Sequence, residues 1–322
     1  MLMKHVLITG AAGFIGFHLA KALKKRGDHV IGVDNFNDYY DPLLKRARAK
    51  EVEKQGIALL EGDITDANFL YELIAHHQIS HLVHLAAQAG VRYSLENPQA
   101  YVKANIEGFL NVLETCRQFP GLQLVYASSS SVYGLNQKIP FSIEDRTDHQ
   151  ASLYGVTKKA NELMASTYYH LYQIPITGLR FFTVYGPWGR PDMAYFQFTK
   201  SILEGKPIHI FNHGKMRRDF TYIDDIVQGI ESSIDRKGKN EIFNLGNHQP
   251  VDLLKMVEII EESVGKKAEK IFVPMQPGDV LETYADIQVS QQILGFLPKT
   301  TLEEGIPQFV KWYLNYWATK TA

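Results

Sequence analysis

Residues 5–20 read HVLITGAAGFIGFHLA. A short apolar run ending at Gly10 meets two further glycines, Gly13 and Gly16, and an amphipathic stretch follows at once. Strand, glycine turn and helix in that order make the first crossover of a dinucleotide-binding fold. Glycine permits the tight turn, lets a pyrophosphate approach the backbone, and lets the helix pack closely on the strand. The helix start then offers unpaired N–H groups and positive potential to phosphate oxygens. Turn geometry alone could ask for the same glycines, so the triplet needs context. A second apolar strand, HVIGVD (29–34), supplies it by ending in Asp34. A carboxylate there suits the two hydroxyls of an adenosine ribose and repels a 2′-phosphate, which favours NAD over NADP.

Apolar strands continue outward at IALLEGDI (57–64), HLVHLAA (81–87), LQLVYASS (122–129) and IPITGLRFFTVYG (174–186). Helical patterns separate them: NFLYELIAHHQ (68–78), a stretch from 98 to 118 opened by Asn97 and Pro98 as cap and first-turn residue, and 152–172. Alternation of this kind predicts an α/β fold, a Rossmann-type doubly wound parallel sheet with both faces covered. After Gly186 the texture changes to scattered Gly and Pro. Residues 1–180 are therefore expected to form the NAD-binding domain, with DFTYIDDIVQGIESSI and EIFNLGN, near 219–246, returning to its sheet. Residues 181–322 would be mainly a smaller α/β substrate lobe. The aromatic FVKWYLNYWATK (309–320) repeats at helical spacing and is expected to pack on the body.

Composition excludes several classes. The 322 residues carry a net charge of −1, so there is no basic field for nucleic acid. No apolar run approaches the roughly 18 residues of a membrane helix, and the first strand begins with no cleavage region before it. The lone Cys116, in NVLETCRQ, allows no internal disulfide and reads as a buried inert thiol; a cytoplasmic setting is expected. Twelve histidines occur without a His-Glu-x-x-His or Cys/His cluster, so no metal is expected.

Within SLYGVTKKA (152–160), Tyr154 and Lys158 stand four apart and share a helix face. That spacing is common in helices without chemistry. A lysine beside a phenol would favour the phenolate and lower the tyrosine from its usual value of about 10, allowing it to take a hydroxyl proton.

TGAAGFIG, GDI (62–64), HLAAQAG (84–90), SSSSVYG (128–134) and YGVTKKA (154–160) occur in an order that resembles the extended short-chain dehydrogenase/reductases. The resemblance covers the whole chain. It implies that Gly10, Gly13, Phe14 and Ile15 line the pyrophosphate, that Asp34 and Asn35 hold the adenosine ribose, and that Asp63 and Ile64 flank the adenine. Leu85, Ala86, Ala87 and Asn105 would border the cofactor and Phe181 its nicotinamide. Tyr154 becomes the acid/base, Lys158 its partner and a ligand of the nicotinamide ribose, and Ser129 the hydroxyl that completes the catalytic set. Ser128 and Ser130 could serve there or bind backbone groups; Ser130 is placed with the substrate.

Relatives that eliminate water carry Asp-Glu just before VYG, and decarboxylases carry Glu; here Ser130 and Ser131 stand in those places. Epimerisation remains. DNFNDYYDPLLKRAR (34–48), RYSLENPQAY (92–101), RFFTVYGPWGRPDMA (180–194), NHGKMRRDFTYIDD (212–225) and MQPGDVLETYAD (275–286) resemble the UDP-glucuronate 4-epimerase family. That implies a UDP-sugar substrate, a carboxylate clamp at Thr183 and Arg190 with Arg92 as a further candidate, Arg218 on the UDP pyrophosphate, and Asp279 near the uridine. A homodimer through the 98–118 and 152–172 helices is implied too. The rival readings are an epimerase of UDP-glucose and UDP-galactose, a UDP-glucuronate decarboxylase, and a non-catalytic NAD sensor.

Overall fold

The computed structural model describes residues 3–275 and 281–321. Its strands in chain order are β1 His5–Thr9, β2 His29–Asp34, β3 Ala58–Glu61, β4 His81–His84, β5 Gln123–Ser129 and β6 Ile176–Phe181. They continue with β7 Thr183–Tyr185, β8 Ile208–Ile210, β9 Arg217–Tyr222, β10 Glu241–Leu245, β11 Pro250–Asp252, β12 Lys270–Phe272 and β13 Glu282–Thr283.

Seven strands form one parallel sheet in the order β10-β6-β5-β4-β1-β2-β3. The chain starts mid-sheet at β1, winds outward to β3, then crosses back to β4. Where the winding reverses, between β1 and β4, the connections diverge and leave a crevice beyond the carboxyl ends of the strands. Successive β1 side chains alternate between two cores. Val6 and Ile8 join Phe17, Leu19, Leu23 and Ile226 on one face, and Leu7 joins Leu70, Phe109 and Val112 on the other. Burial on both faces is why these strands read as unbroken apolar runs. Cys116 sits in the second core, where burial pushes its thiol up to about 12 and keeps it unreactive.

The 174–186 run is two strands. β6 stays in the main sheet, Phe182 N donates to Leu245 O, and β7 crosses to pair with β9. The 219–246 stretch divides likewise: β9 joins a four-stranded sheet with β7, β11 and β13, while the Ile223–Asp235 helix packs on the Phe14–Arg26 helix and β10 completes the main sheet. Period-2 patterning marks a strand but does not say which sheet it enters. In the C-terminal helix Leu302–Thr321, Phe309 and Trp312 pack against Tyr195, Phe196 and Trp188, as the aromatic spacing predicts. No helix among the described residues is long and apolar enough to cross a membrane.

Candidate active site

A cavity of about 410 Å³ occupies the crevice and is walled by the segments that follow β1 to β6. Its first wall is the glycine turn. Gly10 has φ 74°, and a Cβ there would stand 2.7 Å from Ala86 N. A Cβ at Gly16 would fall 2.2 Å from Gly10 O, so only glycine lets the helix close on the turn. Gly10 N and Ala11 N donate to Val33 O at 2.7 and 3.0 Å, which ties the turn to β2. Gly13 caps the Phe14–Arg26 helix, whose start opens into the cavity.

Asp34 ends β2 beside this turn. Its carboxylate is held by Ala12 N at 3.1 Å and Phe36 N at 2.9 Å. Lys45, donating to Asn37 Oδ1 at 2.7 Å, brings its Nζ to 3.9 Å from Asp34. Asp63 accepts from Asn35 Nδ2 and from Thr65 N and Oγ1, each at 2.9 Å. Burial pushes Asp63 up, but those hydrogen bonds outweigh it and hold the carboxyl below its ordinary value. A cradle that any Cβ would fill, with two oriented carboxylates at its far end, fits NAD with an unphosphorylated ribose. Phe14, Ile15, Asn35, Ile64, Leu85, Ala86, Ala87 and Phe181 all line the same cavity. Asn105 stands behind that wall. It lies in a π-helical turn, Val102–Glu107, whose irregular backbone frees its carbonyl for Asn161 Nδ2. Its side chain grips both Gln88 N and Gln88 O, so it positions the loop after β4.

At the other end, the Leu153–Tyr172 helix begins with Ser152, whose hydroxyl accepts from Gly155 N at 3.1 Å. A Cβ at Gly155 would stand 2.7 Å from Ser131 O; glycine lets the first helical turn lie directly on the serine turn. That contact brings Tyr154 and Lys158 to Ser129, Ser130 and Ser131 in the cavity wall. The Tyr154 ring packs edge-on against Tyr101 at 6.0 Å, and Tyr101 Oη is fixed on Ala89 O. Lys158, 2% exposed, donates from Nζ to Ala127 O at 2.8 Å. Burial lowers Lys158 to about 8. Tyr154 behaves differently from the sequence expectation. Burial raises it above its ordinary value, while a hydrogen bond to Ser129 and the Arg190 charge pull it down. Ser128 turns away to donate to Glu162 Oε1 at 2.7 Å, beside the buried Arg180–Glu162 pair, and so serves the strand end.

Thr183 and Arg190 line the cavity on the β6–β7 side. Arg190 Nε and Nη2 both engage Asp192, at 3.0 and 2.5 Å, and Tyr39 Oη donates to the same carboxylate at 3.2 Å. Nη1 makes no hydrogen bond among the described residues. Arg92 is exposed, with its guanidinium 5.1 Å from the Phe211 ring centre, and Arg218 donates to Arg217 O and Leu281 O; neither lines the cavity. Asp279 lies outside the described residues. Sequence reasoning named none of Asn37, Tyr39, Lys45, Gln88 and Met193, which also line the cavity. The first three lie in DNFNDYYDPLLKRAR, where the run of amide, phenol and lysine after a ribose-binding aspartate was the available signal. No group of three His, Cys, Asp or Glu side chains able to hold a metal occurs among the described residues.

A dinucleotide crevice with a Tyr-x-x-x-Lys pair at its inner end defines a short-chain dehydrogenase/reductase type of fold, and the chain belongs to the NAD dependent epimerase/dehydratase family, whose model matches residues 6–246. Over 331 residues it is 54% identical to UDP-glucuronate 4-epimerase 4 of Arabidopsis thaliana, covering 97% of this chain and 76% of that protein. Among solved structures it is similar to the UDP-glucuronic acid 4-epimerase of Bacillus cereus in complex with UDP-glucuronic acid and NAD. That likeness has a TM-score of 0.91 and 36% identity, over 98% of this chain and all of that one. It is also similar to the UDP-glucose 4-epimerase of Thermotoga maritima with UDP-glucose, at TM-score 0.89 and 30% identity over 97% and 99% of the two chains.

Proposed function

We propose that the protein interconverts UDP-glucuronate and UDP-galacturonate by NAD-dependent epimerisation at C4. One observation carries the reading: the reactive end of the cavity combines Ser129, Tyr154 and Lys158 with the Arg190 cation, and serines occupy the positions before VYG. Among the described residues the carboxylates lining the cavity are Asp34 and Asp63, at the adenosine end. NAD supplies the reversible acceptor for the hydrogen at C4. Tyr154 Oη takes the proton from the C4 hydroxyl, Ser129 Oγ holds the same oxygen, and Lys158 favours the phenolate while charged. With the 4-keto sugar turned over, Tyr154 Oη would return that proton to the C4 oxygen as the hydrogen is restored to C4 on the opposite face.

Oxidation at C4 makes a β-keto acid, which loses CO2 when its carboxylate stands perpendicular to the ketone plane. Thr183 Oγ1 and Arg190 Nη1 clamp the carboxylate near that plane, with Asp192 and Tyr39 orienting the guanidinium. Among the described residues no carboxylic acid lines the reactive end of the cavity to protonate C5. In NMR assays with added NAD, UDP-glucuronate is expected to yield UDP-galacturonate, with UDP-glucose turned over at least about 100-fold less efficiently because its hydroxymethyl group offers Arg190 Nη1 no carboxylate. Arg190→Ala should raise the fraction diverted to UDP-pentose. Equal use of UDP-glucose would favour the neutral-sugar reading, UDP-pentose as the main product would favour decarboxylation, and no turnover at all would favour an NAD sensor.

The same reading assigns residues 1–180 to cofactor binding and 181–322 mainly to the UDP-sugar. Arg218 is assigned to the UDP pyrophosphate, and Arg92, the further candidate for the clamp, lies outside the cavity wall. The single buried Cys116 accords with a cytoplasmic setting. Leu110, Leu163, Leu171 and Tyr172 are exposed on the Gly108–Gln118 and Leu153–Tyr172 helices, with Leu163 and Leu171 each 58% open. A second copy of this chain covers that face as a four-helix bundle. Sedimentation at micromolar concentration should give a dimer, and Leu163→Glu a monomer; a monomeric parent protein would rule the interface out.

A further inference from the structure

Arg48 does not line the cofactor cavity, yet it is completely buried. It projects from the Pro42–Glu53 helix, and all five of its N–H donors are engaged. Nη1 donates to Ala12 O at 3.0 Å and Tyr40 Oη at 2.7 Å. Nη2 donates to Trp188 O at 2.6 Å and Gly189 O at 3.1 Å, and Nε again to Trp188 O at 3.1 Å. No carboxylate pairs with it among the described residues. A dry guanidinium held only by dipoles is costly to keep, so its geometry has to return something.

Its two sets of acceptors belong to the two halves of the site. Ala12 lies inside the glycine turn, between Gly10 and Gly13. Trp188 and Gly189 immediately precede Arg190. Trp188 holds φ 61°, a left-handed conformation that a bulky residue adopts only when its surroundings impose it. Arg48 imposes it through the Trp188 carbonyl, while Phe17 and Trp312 pin the indole at 5.2 Å each. Gly189 has no room for a side chain, since a Cβ would meet Tyr195 Oη at 2.0 Å.

We propose that Arg48 is a positioning residue that locks the Arg190 loop to the glycine turn, so that the carboxylate clamp is built to the register of the bound dinucleotide. The proposal rests on the reading of Arg190 as that clamp. The planar fork is the point of it: three backbone carbonyls in two loops are spanned at fixed angles, which a lysine ammonium cannot reproduce.

The test uses full-length enzyme with saturating NAD and varied UDP-glucuronate, comparing R48M, R48K, R190A and R48M/R190A. A clamp displaced by about 1 Å costs on the order of 100-fold. R48M and R48K should therefore each lose on the order of 100-fold in kcat/KM and raise the UDP-pentose share by mass spectrometry. The double variant should be no worse than R190A alone, because Arg48 acts through Arg190. Losses that multiply in the double variant overturn the proposal. So does weakened NAD binding with unchanged product partition, which would confine Arg48 to the glycine turn. Insolubility of both R48M and R48K overturns it too, making Arg48 a folding residue. R190A indistinguishable from the parent sinks the clamp reading itself, whereas a working clamp with multiplying losses sinks only the bridge.

Discussion

Tyr154→Phe is expected to lower kcat for UDP-glucuronate on the order of 1,000-fold, with KM changed by less than about threefold. The substitution removes one oxygen and keeps the ring, so the packing of Tyr154 on Tyr101 survives. What goes is the phenol oxygen that hydrogen-bonds Ser129 at the reactive end. A thousandfold loss is about 4 kcal/mol of transition-state stabilisation, within the range for a positioned acid/base. The pH profile carries a second signature. Burial holds Tyr154 above its ordinary value, so in the resting site it is a protonated phenol at neutral pH. The phenolate fraction, and with it kcat/KM, should rise with pH. Lys158 favours that phenolate only while charged, and burial places its own loss of charge at about 8. The rise should bend near that pH. Unaltered turnover in Tyr154→Phe, or a rise that runs unbroken past pH 9, would show that the reacting proton goes elsewhere.

How much of this site could be read in advance follows from how local each feature is. The glycine turn was legible because strand, turn and helix are contiguous, and the physical demand on residues 10, 13 and 16 is made by their own neighbours. Tyr154 and Lys158 were legible because a helix fixes the relation of residues four apart. Asn105 was read as a wall of the cofactor site but lies one layer behind, since nothing in its neighbourhood discloses the π-helical turn that aims it at Gln88. Arg48 was invisible for a stronger reason. Apart from Tyr40 Oη, its partners are backbone carbonyls 36, 140 and 141 positions away, and a carbonyl leaves no mark in a sequence. β9 was misassigned to the main sheet because its alternation would suit either sheet equally well. The direction of the Tyr154 shift was also out of reach. Sequence supplies the neighbouring lysine but not the depth of burial that raises the phenol.

Lys158→Met should abolish the bend in the pH profile and, once NAD is stripped, make the protein more stable at neutral pH. The sign follows from linkage. Lys158 has a folded value of about 8 against an ordinary 10.5. Below pH 8 it is charged in both states, and burial of that charge weighs on the folded state alone. The displacement corresponds to about 3 kcal/mol at 1.36 kcal/mol per tenfold. Methionine removes that penalty but leaves Ala127 O without its donor, at about 1 kcal/mol, for a net gain of about 2 kcal/mol. As pH rises from 8 to 10.5 the unfolded chain holds more protons at this position than the native one, so the parent gains stability and the gap closes. Urea unfolding at pH 7 and pH 10 would measure both ends. A less stable Lys158→Met at pH 7, or a gap that does not change with pH, would mean that the ammonium is well solvated by dipoles in its pocket. A gain that fades on the alkaline side would show that the fold holds Lys158 against its own preference. That penalty is relieved when a partner that uses the charge enters the cavity, so the stability difference should also shrink as NAD is added back.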